Sequence, residues 1–361
     1  MIITAVSRLI TALAPVRICD CGGWSDTWFA GHGQVFSIAV SPYVEVQIAA
    51  GPAFPGGTRA VVNAENFDER FEPAAQAPWT AHPLIEATIA HVGVPDGTSL
   101  EITIHSEMPS GASTGTSAAV TVALLAALRH LRGMPIDPAA LASEAHAVET
   151  GPLGLESGIQ DQIGAAYGGV NFIEMGAYPD AVVSPVGLPA QTWWALDSRL
   201  LLVYLGRSHD SSDVHRTVIA DLQSDRGSRG SHGALVRLRD AAFAARAAAE
   251  AGDLAALGTA MCENTAAQAA LHPDLVGAAA RAVIALAQSH GVWGWKVNGA
   301  GGDGGSLTLL TGPAGGAKRR LVAALHAAAA GWRVIPTRLS RGGVRVWEDT
   351  GSGPRLPDKC P

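Results

Sequence analysis

The sequence predicts an α+β protein of two domains, and three observations carry that reading. Short segments of strand character alternate with Ala- and Leu-rich segments of helix character, in an order that is not a repeated βαβ unit. At 361 residues the chain is long enough for two separate cores. A Pro- and Gly-containing stretch, Gly176–Pro189, divides it. The expected units are therefore residues 1–185, residues 186–350 and a loose tail at 351–361, with a functional cleft between the two halves.

The elements follow in order. Val16–Cys19 reads as a short strand running into a Gly22-Gly23 turn. Val35–Ile48 and Arg59–Phe71 read as long strands, Pro83–Val92 as a helix, and Leu100–His105 as an alternating strand. Helices Thr116–Arg132 and Asp137–Thr150 precede strand Val170–Glu174. The second half opens with strand Leu200–Leu205, followed by helices near Asp213–Gln223, Gly233–Ala251 and Asp274–His290. Strands Trp295–Asn298 and Ser306–Thr311, helix Gly315–Ala330, and strands Arg333–Thr337 and Val344–Trp347 complete the chain. There are no internal repeats.

The most informative segment is Pro109-Ser110-Gly111-Ala112-Ser113-Thr114-Gly115-Thr116-Ser117-Ala118-Ala119, lying between a strand and a helix. Backbone N–H groups of such a loop can converge on an anion, at the positive end of the helix dipole. The Thr116 and Ser117 hydroxyls sit where a phosphate-bound cation could be reached. Alone the loop is weak, because small-residue turns are common, and no Gly-Lys-Ser/Thr makes it a P-loop. Two further segments add to it. Ala14–Asp26 holds Arg17 and Asp26 on either side of the glycine turn, and Gly158-Ile159-Gln160-Asp161-Gln162 precedes Tyr167-Gly168-Gly169. Taken singly, these read as a surface hairpin and as a turn aspartate. A fourth segment, Lys296–Gly305, is a glycine run broken by Asp303.

In this order and spacing the segments resemble the GHMP kinases, and the match covers about Ala14 to Leu310. The Arg-Ile…Gly-Gly-Trp-Ser-Asp and Gln-Asp-Gln…Tyr-Gly-Gly segments are most similar to the sugar-kinase branch, the fucokinases and heptose phosphate kinases. The resemblance implies an N-terminal ATP-binding domain over 1–185, a C-terminal kinase domain over 186–350, and an active site between them. It implies that Pro109, Gly111, Ala112, Ser113, Thr114, Gly115, Thr116 and Ser117 wrap the ATP phosphates. Ser117 and Glu149 would hold Mg2+, Asp161 would be the catalytic base, and Arg17 would lie beside it. Gly23, Trp24, Asp26, Gly301 and Gly302 would meet the substrate. The implied reaction moves the γ-phosphoryl group of ATP to a hydroxyl, the anomeric one in the nearest relatives, of a sugar or sugar phosphate. A uronic-acid kinase of the same superfamily and a non-catalytic sugar- and ATP-binding sensor are the alternatives.

The chemistry agrees with these residue types. Phosphoryl transfer needs in-line positioning, neutralised phosphoryl oxygens and an acceptor for the attacking hydroxyl proton. Mg2+ is a hard cation that takes few protein oxygens, and a cation beside Asp161 would keep it ionised. Three features depart from the family pattern or stand outside it. Ser113 occupies a position usually held by Gly and is expected to restrict the loop. Asp303 is expected either to point away from phosphate or to meet a substrate hydroxyl. Arg207–Arg216, rich in Ser and His, is expected to bind an anion or to cap the next helix.

Gly299–Gly304 also satisfies Gly-x-Gly-x-x-Gly, but a strand follows it, and no acidic residue occurs between Asp303 and Glu348, so a dinucleotide fold is excluded. A net charge of −7 argues against nucleic-acid binding. The four cysteines show no metal spacing. With no basic leader and no run of about eighteen apolar residues, a cytoplasmic protein without a membrane partner is expected. The oligomeric state is not legible.

Overall fold

The computed structural model describes residues 8–53, 57, 59–207, 216, 218–220, 228–328 and 331–349. The first sheet runs in the order β12-β1-β2-β5-β3-β4, with β6 and β7 added beside β2. Its frame is β1 (Arg8–Cys21) against β2 (Gly33–Pro52), two long antiparallel strands whose inward faces are buried almost without interruption. β5 (Thr98–Ser106) pairs antiparallel with β2 and parallel with β3 (Ala60–Ala64), and β4 (Glu69–Phe71) closes that edge. β6 (Val170–Ala177) and β7 (Asp180–Pro185) form a hairpin on the other side of β2.

Helices cover one face of this sheet. α1 (Pro83–Val92) packs on α2 (Thr116–Leu131), which lies on β1 and β2. The Ala- and Leu-rich sequence of α2 suits that place, because small side chains let a helix sit close to a sheet while leucines fill the gaps. α3 (Pro138–Thr150) starts where the Asp137 carboxylate accepts the Ala140 N–H at 2.8 Å. α4 (Gln160–Tyr167) crosses β1 directly over Arg17, and a Cβ on Gly164 would stand 3.1 Å from that of Arg17.

The second sheet is antiparallel, β11-β8-β10-β9, built from β8 (Leu200–Tyr204), β9 (Val292–Val297), β10 (Ser306–Thr311) and β11 (Arg333–Ile335). Its own core joins Leu201, Val203, Val283, Val297, Leu307, Leu309 and Leu321. Around it lie α5 (Ala190–Arg199), α7 (Leu254–Leu271), α8 (Ala278–Ser289) and α9 (Ala317–Ala327), while α6 (Ser228–Ala251) packs on β1 and β2 of the first sheet. α6 and α7 pack on each other, and α7 packs on β9 while both reach β1. No helix among the described residues is long and apolar enough to cross a membrane.

Several sequence expectations need correction. Gly176–Pro189, expected to divide the chain, holds a hairpin: Pro179 lies in the turn between β6 and β7, and residues 180–185 pair with β6. Arg59–Phe71 is two strands, broken by a 3-10 turn at Glu65–Phe67 that Asp68 ends in a left-handed conformation. β1 begins eight residues earlier than the strand read at Val16, and α5 and α7 are helices the pattern did not separate. β12 (Arg345–Asp349) returns to pair with β1, so a cut at 185/186 places that strand with the wrong sheet. The helix expected near Asp213–Gln223 falls mostly, and the tail 351–361 wholly, outside the described residues.

Candidate active site

Arg17 is the centre of the site. It lies on β1 between two register shifts relative to β2, at Pro15/Val16 and at Ile18/Cys21. Its backbone N–H donates to the Thr114 carbonyl at 3.0 Å, which pins the 109–119 loop to the strand. The residue is 3% exposed; Nε donates to Asp161 Oδ1 at 2.8 Å and Nη1 to the Ser113 carbonyl at 2.5 Å. Burial works against the charged guanidinium, but Asp161 and Asp20 outweigh it, and the pKa rises above the ordinary arginine value.

The loop ends at Gly115, which has φ +70° and precedes the first turn of α2. A Cβ there would stand 3.2 Å from the Asp161 carboxylate, so glycine lets the loop pass directly over the acid. Ser113 adopts φ +57°, so the loop keeps a left-handed conformation there despite the side chain. Ser117 stands exposed in the first turn of the helix.

Two further carboxylates converge. Glu149, at the end of α3, is 7% exposed. Its Oε2 accepts from Ser157 Oγ and Gln162 Nε2, each at 2.8 Å, while Oε1 is buried with no hydrogen-bond partner. Burial pushes its carboxyl up to about 7. Asp26 is also buried, accepts the Gln160 N–H at 3.2 Å at the start of α4, and is pushed up to about 6 by burial. Gly158 fits against it; a Cβ would stand 2.1 Å from Oδ2.

One cavity of about 840 Å³ collects most of these groups. Arg17, Trp24, Asp26, Glu149 and Asp161 line it, together with the loop from Ser110 through Ser117. Pro109 is not on its wall. Gly23, Gly301 and Gly302, expected at the substrate, are not on it either. Gly23 packs on Asp20, and a Cβ on Gly301 would stand 2.1 Å from the Leu275 carbonyl, whose oxygen accepts the Gly302 N–H at 3.1 Å. Gly301 and Gly302 thus lie against the backbone at Leu275. Asp303 points outward to Arg207, at 3.2 Å; residues 208–215 of the Arg207–Arg216 segment lie outside the described residues.

Sequence reading missed the other wall, formed by Ala77, Pro78, Trp79, Pro83 and Leu84, and the Glu156–Ser157 pair. Pro- and Trp-containing loops carry no spacing signal, so nothing in the pattern marked them. It also missed Asp20 and Lys296 as a buried pair behind Arg17. An Asp in the first motif and a Lys opening the fourth were the available signal.

The donor set fits a divalent cation. Glu149 Oε1 is a buried carboxylate oxygen without a partner, and the Ser117 hydroxyl lines the same cavity, both hard oxygen ligands.

Comparison with known proteins places this geometry. Residues 81–169 match the family described as GHMP kinases N terminal domain. The chain is 23% identical over 211 residues to D-glycero-alpha-D-manno-heptose 7-phosphate kinase of Campylobacter jejuni, covering 57% of this chain and 60% of that protein. It is 26% identical over 312 residues to the bifunctional fucokinase/GDP-fucose pyrophosphorylase of Arabidopsis thaliana, covering 82% of this chain and 29% of that protein. The chain thus spans less than two thirds of either relative. In fold it is similar to the crystal structure of a D-glycero-D-manno-heptose 1-phosphate kinase from Bacteriodes thetaiotaomicron, with TM-score 0.71 at 20% identity over 94% of this chain and 98% of that one. The segment matched to the GHMP kinases N terminal domain holds the glycine loop, Glu149 and Asp161.

Proposed function

We propose that this protein is an ATP-dependent kinase that transfers the γ-phosphoryl group to a hydroxyl of a sugar or sugar phosphate, with the anomeric hydroxyl as the acceptor. The observation that carries the reading is the Arg17–Asp161 pair at 2.8 Å, directly under the glycine loop that opens α2. In this reading the division of labour is that of residues 1–185 as the ATP-binding domain and 186–350 as the C-terminal domain, with strand 345–349 reassigned to the first sheet.

Each group has a task the chemistry requires. The amides of residues 111–117 and the N-terminus of α2 take the β- and γ-phosphates. Pro78, Trp79, Pro83 and Leu84 give the cavity an apolar side suited to a flat base. Asp161 accepts a hydrogen bond from the attacking hydroxyl and takes its proton as the new O–P bond forms. Arg17 holds Asp161 through Nε, which fixes the carboxylate in place. Asp26 orients the substrate by accepting from its hydroxyls. Mg2+, held by Ser117 and Glu149, would supply charge neutralisation at the phosphoryl oxygens.

The charge balance of the cavity bears on the acceptor. Among the described lining residues Arg17 is the only Lys or Arg, and four carboxylates, Asp26, Glu149, Glu156 and Asp161, share the wall. That balance suits a neutral polyhydroxyl acceptor best. The test is ADP release with Mg·ATP across free sugars, sugar 7-phosphates and uronic acids. Turnover on a free sugar supports the reading as stated. Turnover on a uronic acid moves the assignment to that branch of the superfamily, and saturable binding of ATP and sugar with no ADP from any member replaces it with a sensor.

A further inference from the structure

Behind the site, between the two sheets, lies a charged cluster that no step above uses. Lys296, on β9, is 1% exposed, and Asp20, at the irregular end of β1, is fully buried. Lys296 Nζ lies 3.4 Å from Asp20 Oδ1 and 3.4 Å from Gln268 Oε1, and it donates to the Val297 carbonyl. Both Asp20 oxygens accept the Gly299 N–H, at 3.2 and 3.0 Å, while Gln268 Nε2 donates to the Gly299 carbonyl at 3.2 Å. Gly299 is therefore gripped on both sides of its peptide.

What Gly299 touches gives the cluster its meaning. A Cβ there would stand 2.8 Å from the Ser113 carbonyl and 3.1 Å from Arg17 Nη2. Arg17 Nη1 lies 3.8 Å from Asp20 Oδ1, against 2.8 Å between its Nε and Asp161. Two buried cations thus face two acids: Arg17 lies within reach of both Asp20 and Asp161, whereas Lys296 reaches only Asp20. A buried ion pair is a poor source of net stability, because desolvation cancels most of its attraction. Its position, not its strength, is what the site uses.

We propose that Lys296 and Asp20 are positioning residues: Lys296 engages Asp20, which leaves the Arg17 guanidinium on Asp161, and Asp20 with Gln268 seats Gly299 against Arg17 and Ser113. Without the Lys296 charge, Asp20 draws Arg17 toward itself and Asp161 loses its partner. With both charges gone, Arg17 returns to Asp161. The consequence for turnover rests on the kinase reading; the consequence for Arg17 does not.

The test compares the full-length wild type with Lys296→Met, Lys296→Arg and the double variant Asp20→Asn/Lys296→Met. The Arg17 Nε–H NMR signal, assigned by its loss in Arg17→Lys, reports the hydrogen bond to Asp161 through its protection from water exchange. The expected result is a protected signal in the wild type, Lys296→Arg and the double variant, and an exchanging one in Lys296→Met. Where a sugar substrate turns over, kcat of Lys296→Met falls about tenfold or more, with KM for ATP changed less than about threefold, and the double variant recovers most of the loss. If Lys296→Met does not fold, Lys296→Gln removes the same charge, with the same result expected. A protected Arg17 signal in the folded charge-removal variant overturns the proposal whether or not the protein proves to be a kinase. A wild type that turns over no sugar, with Arg17 behaving as described, overturns the kinase reading alone.

Discussion

Two glycine-rich loops meet at Arg17, and they use glycine for different ends. In the 111–117 loop the backbone passes over the Asp161 carboxylate and its other side faces an open cavity. In the 299–305 loop, which joins the antiparallel strands β9 and β10, the space a Cβ would need at Gly301 is filled by the chain's own Leu275 carbonyl. The missing side chain at Gly115 makes room for the Asp161 carboxylate at the cavity wall; the one missing at Gly301 makes room for a second segment of backbone. Composition does not separate the two cases. The nearest neighbour of the missing Cβ does.

The comparison can be broken at the residue both loops touch. Arg17→Met leaves Asp161 without its partner and Asp20 with a single cation. It is expected to cost about 3–5 kcal/mol of stability by urea unfolding, and to remove turnover as well. Loss of turnover at unchanged stability would mean that Arg17 holds only the open loop. Gly301→Ala sharpens the contrast from the packed side. Its Cβ would meet a carbonyl oxygen at 2.1 Å with φ +77°, so a loss of roughly 2–4 kcal/mol is expected, with KM for ATP and sugar unchanged. A raised sugar KM with normal stability would return Gly301 to the substrate.

Asp26→Asn is expected to act oppositely on stability and on binding. The Asp26 carboxyl is raised from 3.8 to about 6, so the folded state holds a proton that the unfolded chain has released, and stability falls as pH rises from about 4 through 6. The asparagine variant escapes that loss. It is expected to be more stable at pH 7 by at most about 3 kcal/mol, to flatten that part of the pH–stability curve, and to bind sugar less well. A less stable variant would show that Asp26 is needed as an anion at the start of α4. The smallest effect is expected at Ser113→Gly, where relief of φ +57° stabilises by about 1 kcal/mol in thermal unfolding, with little change in ATP affinity.

Much of the fold was legible because α2 is rich in the helix formers Ala and Leu, α3 opens with Asp137-Pro138, and the second half of β1 is a mostly apolar run ending at a glycine turn. The hairpin strand β7 and the split between β3 and β4 were not. There the decisive events are turns, and Pro179, Gly176 and Asp68 read equally well as linker, turn or strand end. At the site, Arg17, Asp161 and the glycine loop stood out by type and order. Trp79 and Leu84 did not, because an apolar wall is made by tertiary placement alone. Lys296 and Asp20 were visible as residues but not as a pair, since 276 positions separate them.

The most direct test of the account compares Asp161→Asn with the wild type, measuring single-turnover phosphoryl transfer to the best sugar and ATP affinity by calorimetry. The account predicts transfer slowed by about a thousandfold or more, with ATP affinity within about threefold, because Asp161 acts on the acceptor hydroxyl and not on the nucleotide. Near-normal transfer, or an equal loss of ATP binding and transfer, would contradict it.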